Sequence, residues 1–406
     1  MAARILIVSS GNPCRNPRPV KEAETLGHAG FEVTLLTPTG ESRLAEVDRE
    51  LTRGAPYRHE TVAGGRGSGS VFRRRLQHWL ARRAAGWGFE TVHALGSPGP
   101  LARRAQAIPA DLTIVHNEIP FAIGCRLLRA GRRVAADFED WHSEDLLPED
   151  RRHRPLRLLR RMEGELMRRA VYKTTTSAAL SQALAARYGG VPPEVIANAF
   201  PLQSDFRAGD PGQPPAFFWF SQTLGPGRGL EPFRAAWLQM RQPTRLALLG
   251  ESRSGYAERF LADIPEPPRA RVSFLPLVPP AELPSVIARH DIGLALEQPF
   301  IVNRDLTITN KILQYLNAGL AVVASATAGQ REVLARAPGA GIAVTLTETG
   351  EVARQLDALV SDRGRLAAMS AAARRAAETD YCWERQAPRL TALVRTALAS
   401  PASPRA

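Results

Sequence analysis

Positive charge beside glycine-rich backbone is the first chemistry this sequence offers. Lys311 lies within a turn of the start of a helical stretch, TITNKILQYLN, and is one of three lysines (Lys21, Lys173, Lys311) among fifty-three basic residues that are otherwise arginine. The segment Thr223 to Glu231 reads TLGPGRGLE after an apolar run. There Gly225, Gly227 and Gly229 let backbone N–H groups approach a ligand closely, while Arg228 supplies charge. Amides, a helix N-terminus and a cation are the ingredients of a phosphate site. The plainer alternatives are a solvated helix-start lysine and an ordinary turn. A second set of polar residues, His116, Asn117 and Glu118 and then Asp137, Glu139, Asp140, His142, Ser143 and Glu144, follows two other apolar runs. Carboxylates there either orient a hydroxyl or hold their loops by hydrogen bonds. Arg18 sits between Pro17 and Pro19, where it either faces a ligand or serves a loop stiffened by its prolines.

Such residues need strands to carry them and loops at the strands' carboxyl ends. Arg4 to Ser9 (RILIVS) reads as a strand, followed by the loop to Pro19, a helix to about Ala29 and a strand from Glu32 to Thr37. Asp111 to Glu118, Arg133 to Phe138 and Val171 to Thr176 read as further strands, and Arg151 to Ala170 as a basic helix with a solvated charged face. Asp210 to Pro215 (DPGQPP) is a linker by composition. After it, strands are expected at Ala216 to Gln222, Arg245 to Leu249, Val272 to Leu275 and Asp291 to Leu296. The helix at Lys311 stops at Ala318-Gly319 and feeds a strand around Val322-Val323. Alternating strands and helices in both halves predict an α/β protein with two parallel-sheet domains, in which ligands meet the carboxyl ends of strands.

The chain of 406 residues is 44% apolar, enough for two globular cores. Cys14, Cys125 and Cys382 are far apart and show neither metal nor redox spacing, so a reducing cytoplasm is expected. The strand beginning at Arg4 is read as leaving no room for a signal peptide, and no stretch has the length of a membrane span. The formal charge is +13, and residues 1–205 carry thirty basic against twenty-two acidic side chains, a net of +8. An anionic membrane surface, a lipid pyrophosphate or nucleic acid would each answer that charge. Nucleic acid is set aside, because no zinc spacing or RNP-like run accompanies it. Ala63 to Ser70 (AGGRGSGS) reads as flexible. After it Phe72, Leu76, Trp79 and Leu80 share one helical face amid Arg73 to Arg75, Arg82 and Arg83. That face either packs on its own domain or lies on an anionic bilayer.

Asn310-Lys311, Gln314-Tyr315-Leu316, Ala318-Gly319-Leu320, Val322-Val323 and Gln330 to Glu332 together resemble the donor-domain motif of retaining GT-B glycosyltransferases of the family-four type, which build bacterial polysaccharide and lipopolysaccharide. TLGPGRG resembles the same family's strand, glycine loop and cation, with Arg228 in the place of a lysine. The resemblance is concentrated in residues 216–340. It implies two Rossmann-like domains facing a central cleft and a C-terminal helix crossing back to the first. The expected division is residues 1–208 for an acceptor-side domain, 209–215 for the linker, 216–382 for a donor domain, 383–398 for the crossing helix and 399–406 for a frayed tail.

The resemblance implies that Arg228 and Lys311 hold the leaving diphosphate, and that Gly225, Gly227, Gly229, Gln222, Asn310, Gln314 and Glu251 surround the donor. On the acceptor side it implies Arg18, His116, Glu118, Glu139 and Asp140. Gln314 stands where the family usually has a ribose-binding Glu, and Leu306, eight residues earlier, where it often has a second one. Glu297 and Asp305 show the family's seven-residue gap but are out of register with the helix, and are not counted among the site residues. There is no DxD, and neither metal nor cofactor is expected beyond a nucleotide diphosphate sugar as donor. The expected activity is sugar transfer to a hydroxyl of a glycan or lipid-linked acceptor, with retention, in the cytoplasm or at the inner face of the membrane. A GT-B-fold epimerase drawing on Glu118, His116 and Asp137 is one alternative, and a transferase-like binding protein without activity is another.

Overall fold

The computed structural model describes residues 2–39, 44–63, 68–204 and 212–400. The glycine-rich stretch at 64–67, the 209–211 part of the expected linker and the tail from 401 lie outside the described residues. The chain divides into two compact units, Met1–Ile196 with Ala387–Ala406, and Ala197–Gln386.

The first unit is built on a seven-stranded sheet of β1 (Arg4–Val8), β2 (Glu32–Pro38), β3 (Arg58–Val62), β4 (Leu112–His116), β5 (Val134–Phe138), β6 (Lys173–Thr175) and β7 (Glu194–Val195). Its order is β3-β2-β1-β4-β5-β6-β7, and every pairing is parallel. The central strands RILIV, LTIVH and VAADF are near-continuous apolar runs because helices cover both faces of the sheet. Strand order reverses between β1 and β4, so the loops after these two strands meet. There Asn117, at φ +67°, accepts hydrogen bonds at Oδ1 from the Ser9 hydroxyl, the Ser10 amide and the Asn16 side chain. The last helix, Trp383–Ala399, sends Val394 and Ala397 into the same core as Ile5, Ile7, Leu112 and Ile114.

The basic stretch expected as one helix from Arg151 is two, Pro148–Arg151 and Leu156–Arg169. Pro155 cannot donate the bond that would continue the first. Arg152, Arg157, Arg161 and Arg168 are exposed as expected, but the other four arginines are half-buried in ion pairs. Arg151 and Arg160 share Glu144, Arg154 pairs with Glu118, and Arg169 pairs with Glu165.

The second unit carries β8 (Ala216–Leu224), β9 (Arg245–Ser252), β10 (Val272–Leu275), β11 (Ile292–Ala295), β12 (Ala321–Ser325) and β13 (Gly341–Val344). They form a six-stranded parallel sheet of order β10-β9-β8-β11-β12-β13. The reversal lies between β8 and β11. β8 runs past its expected end through a register shift between Phe220 and Thr223, so Gln222 is an exposed strand residue. β9 is longer than expected too, and its exposed Glu251 pairs with Thr223.

Candidate active site

At the reversal of the second sheet, β8 delivers the glycine turn, β11 delivers Glu297, and β12 ends at Ser325. Gly227 and Gly229 both have φ +78°, and Gly229 is the residue before the helix Leu230–Trp237. A Cβ on Gly229 would stand 2.8 Å from Leu346 Cδ1 and 3.2 Å from Leu296 Cβ. Backbone conformation and space therefore both demand glycine there.

Glu297 follows β11 by two residues. Its amide donates to Ser325 Oγ at 2.9 Å, which sets the direction of its side chain. Arg228 Nη1 donates to Glu297 Oε1 at 3.1 Å, and Lys311 Nζ lies 3.6 Å from the same oxygen. The carboxylate is only 3% exposed. Arg304 joins the group by donating from Nη1 to the Gly227 carbonyl at 3.0 Å, which ties the short helix Val302–Leu306 to the glycine turn.

Lys311 is the second residue of the helix Asn310–Asn317, and its ammonium lies 5.2 Å from the Trp219 ring centroid. Burial lowers its pKa. Glu297 opposes that shift, while Arg228 and Arg304 add to it. Tyr315, one turn on, donates its hydroxyl toward the carbonyls of Phe218 (3.2 Å) and Leu294 (3.3 Å), on β8 and β11. Gly293 makes room for that ring, since a Cβ there would fall 2.2 Å from Tyr315 Cγ. The helix is thus pressed onto the two strands that meet at the reversal, which fixes where Lys311 and Gln314 stand.

Several polar atoms around this helix end are buried without a hydrogen-bond partner: Thr309 Oγ1, Gln314 Oε1, Thr327 Oγ1 and Trp219 Nε1. A protein interior rarely leaves such groups unpaired, and a ligand or water supplies the missing partner. Together with Arg228 and Lys311 on one carboxylate, they make a site able to take an anion that also carries hydroxyl groups. Donor-side candidates Arg228, Gly225, Gly227, Gly229, Asn310, Lys311 and Gln314 lie on the glycine turn and on this helix. Gln222 and Glu251 lie on β8 and β9.

The first unit holds a different cluster. Arg18 is fully enclosed on the helix Pro17–His28, with Nε 2.8 Å and Nη2 2.7 Å from Asp137 Oδ2, and it donates from Nη1 to the Ile196 carbonyl at 2.7 Å. Glu22, one turn after Arg18, lies 3.6 Å from its Nε and 3.1 Å from His116 Nε2. Thr174 Oγ1 donates to Asp137 Oδ2 at 2.7 Å. Burial alone would raise the Asp137 pKa, but Arg18 and His116 hold it down at about 2. The structure brings the expected residues Arg18 and His116 together, but as interior groups. Arg18 is 0% and His116 1% exposed, so both serve this network rather than presenting a surface of their own.

Glu22, His116 and Asp137 offer ligand atoms within 4.8 Å of one another. The guanidinium of Arg18 already supplies the positive charge between the two carboxylates, so the cluster fits an ion-pair network better than a divalent ion. Glu118 opens the helix Glu118–Arg129 and is taken up by Arg154. Glu139 and Asp140 follow β5 and remain partly exposed. Burial first, then the charge of Asp140, pushes the Glu139 carboxyl up to about 7. Beside it the buried Lys21 is brought down to about 7 by burial and by Arg18.

Sequence reasoning missed Glu297, Arg304 and Trp219 in the second unit and Glu22 in the first. The i, i+4 spacing of Arg18 and Glu22 was a signal available for the last of these. Position at the end of an apolar strand run was a signal for Glu297.

Residues 230–392 match a family model described as glycosyl transferase-like. No curated protein sequence matches the chain. Among solved structures, HepE of Anabaena in complex with UDP and glucose is 17% identical with a TM-score of 0.70, over 98% of this chain and 100% of that one. Sucrose-phosphate synthase of Thermosynechococcus elongatus is 13% identical with a TM-score of 0.72, over 98% of this chain and 100% of that one. A glycosyltransferase of Rickettsia africae is 12% identical with a TM-score of 0.68, with coverage of 98% and 100%. Two parallel-sheet α/β units with this sheet order and these neighbours identify the GT-B fold, and within it residues 230–392 carry a glycosyl transferase-like signature.

Proposed function

We propose that this chain is a glycosyltransferase that moves a sugar from a nucleotide diphosphate sugar to a hydroxyl of a glycan or lipid-linked acceptor. The observation that carries the reading is the convergence of Arg228 and Lys311 on Glu297 beside the glycine turn and the helix start at Asn310. Glu297 acts as counter-ion to the two cations in the unliganded protein, and an incoming diphosphate takes over part of that role. HepE, which shares the fold, is described with UDP and glucose, so UDP is the first nucleotide to test.

In the proposed reaction the bond from the anomeric carbon to the diphosphate oxygen breaks, and the acceptor oxygen bonds to the same carbon. The acceptor proton passes to the departing phosphate oxygen, with retention of configuration. Charge builds on the diphosphate as it leaves, and Arg228, Lys311 and the turn amides are fixed in place to receive it. These groups supply the positive charge without a metal. Asn310, Gln314, Gln222 and Glu251 are assigned to donor binding. Glu139 and Asp140 are assigned to orienting the acceptor hydroxyl, and Glu118 to the same side. We assign the protein to polysaccharide synthesis in the cytoplasm, peripheral to the membrane.

An epimerase drawing on His116 and Asp137 is disfavoured, because both are sealed inside the first unit by Arg18 and Glu22. The test is a melting-temperature screen of UDP, GDP, ADP and CMP and their sugar conjugates, followed by nucleotide release with and without acceptor, each also with a chelator. A rise with one diphosphate, and release that requires acceptor and survives chelation, is the expected result. Release without acceptor points to elimination or hydrolysis, and binding without turnover to an inactive transferase-like protein. Either would overturn the proposal, and an inverted product would overturn the stereochemistry.

A further inference from the structure

The helix Ser68–Gly86 is mounted with its apolar side outward. At about 100° per residue, Phe72, Leu76, Trp79 and Leu80 form one stripe, while Arg74, His78, Ala81 and Ala85 lie on the opposite side. The second set is the one turned inward. Ala85 is buried, Arg74, His78 and Ala81 are half-buried, and His78 Nδ1 pairs with the His93 carbonyl at 2.9 Å. The apolar stripe is left in solvent, with Phe72 69%, Trp79 52% and Leu80 51% exposed, and Trp87 (78%) and Phe89 (72%) extend it past the helix end. An open groove of about 770 Å³ runs beside it, lined by Leu76, Leu80, Thr91 and His93 among others. A lone exposed apolar residue needs no explanation, but a run of six large ones does.

Charge identifies the occupant. No acidic residue occurs between Glu60 and Glu90. Arg73, Arg75, Arg82 and Arg83 are exposed along the stripe, and among the described residues none of them has an ion-pair partner. Arg83 lies 4.9 Å from the Trp79 ring centroid, a cation resting on an aromatic face. A second copy of this chain would bring the same positive charge to the contact, within a protein of net charge +13. Aromatic and aliphatic side chains bordered by arginine suit the boundary between acyl chains and anionic headgroups.

We propose that this face, from Phe72 to Phe89, docks the protein onto an anionic lipid bilayer. The inference goes beyond the donor-site reading and does not depend on it, since vesicle binding uses no nucleotide. The test is sedimentation of the full chain with phosphatidylcholine vesicles containing about 30% phosphatidylglycerol, against pure phosphatidylcholine. Arg75→Gln with Arg82→Gln is expected to weaken binding to the anionic vesicles about 30-fold. Trp79→Ser with Trp87→Ser is expected to weaken it at least about tenfold. All four side chains are exposed, so melting temperature and any nucleotide-induced shift stay as in the wild type. Equal binding to neutral vesicles, or unchanged binding by either double variant, would overturn the proposal. So would absence of vesicle binding, whether light scattering then shows a monomer or a dimer formed through this face.

Discussion

Replacing Lys311 by methionine keeps the aliphatic stem beside Trp219 and removes only the charge. In the unliganded protein the Lys311 ammonium is 3.6 Å from Glu297 Oε1, with Arg228 Nη1 3.1 Å from the same oxygen. A phosphate oxygen at about 4 Å from that ammonium would gain about 4 kcal/mol at an effective dielectric constant of about 20, which is a ceiling. Glu297 already neutralises part of the charge, so the net loss on removing the lysine is that of one charge-assisted hydrogen bond, about 2–3 kcal/mol. Titration calorimetry should therefore find UDP bound about 30- to 150-fold more weakly by Lys311→Met, with uridine binding unchanged. The pH dependence has a definite sign. Burial lowers the Lys311 pKa below its ordinary value, so wild-type affinity for UDP falls as pH rises toward that value, while the variant's does not. A loss smaller than about threefold, or an alkaline decline that persists in the variant, would refute the assignment of Lys311 to the diphosphate.

Two further predictions concern the first unit. Arg18→Met leaves Asp137 and Glu22 charged and buried without their cation, and should cost about 3–5 kcal/mol in chemical denaturation. Adding Asp137→Asn should recover part of the loss, and a single variant as stable as the wild type would show that the network holds nothing together. The pair Lys21 and Glu139 should imprint a dip in stability near pH 7. Glu139, raised from 4.5 to about 7, binds its proton more tightly when folded, so its contribution falls as pH rises from about 4.5 to about 7. Lys21, lowered from 10.5 to about 7, binds its proton more tightly when unfolded, so its contribution rises with pH from about 7 to about 10.5. Lys21→Met should remove the alkaline rise and gain at least about 1 kcal/mol at pH 6, seen as about 2–4 °C in melting temperature. Identical pH profiles for variant and wild type would defeat that account.

The strands were legible because both sheets are parallel and covered on both faces, so RILIV or AVVAS has nothing else to be. The glycine turn and the helix at Lys311 were legible for a similar reason, since each is a local pattern with one backbone solution. What resisted reading was the partner of each charge. Glu297 looked out of register because its distance was counted along the chain to the helix, whereas it arrives from the end of β11 and is aimed by Ser325 from β12. Arg18 has the composition of a ligand contact, a cation between prolines at a strand's end. It is enclosed by Asp137, 119 residues away, and by the carbonyl of Ile196, 178 residues away. The apolar stripe from Phe72 was legible as a stripe, but not its direction: Ala85 is buried and Ala81 half-buried, while Trp79 is 52% exposed.

The two charged clusters show how a structural cation differs from one held ready for a ligand. Around Arg18 the positive charge is matched by Asp137 and Glu22, and none of the three has exposed surface, so an arriving anion would have to break a buried pair to enter. Around Glu297 the balance runs the other way, with Arg228 and Lys311 set against a single carboxylate. Arg228 keeps 38% of its side chain exposed, and unpaired polar atoms lie at the adjoining helix start. With 11% of its side chain exposed, Lys311 is largely dehydrated before any ligand arrives, and Glu297 is the charge with which an arriving phosphate competes. That balance is the physical ground for proposing the second cluster as the anion site and reading the first as a fastening of the fold, although both are built from the same residue types at the reversal of a parallel sheet.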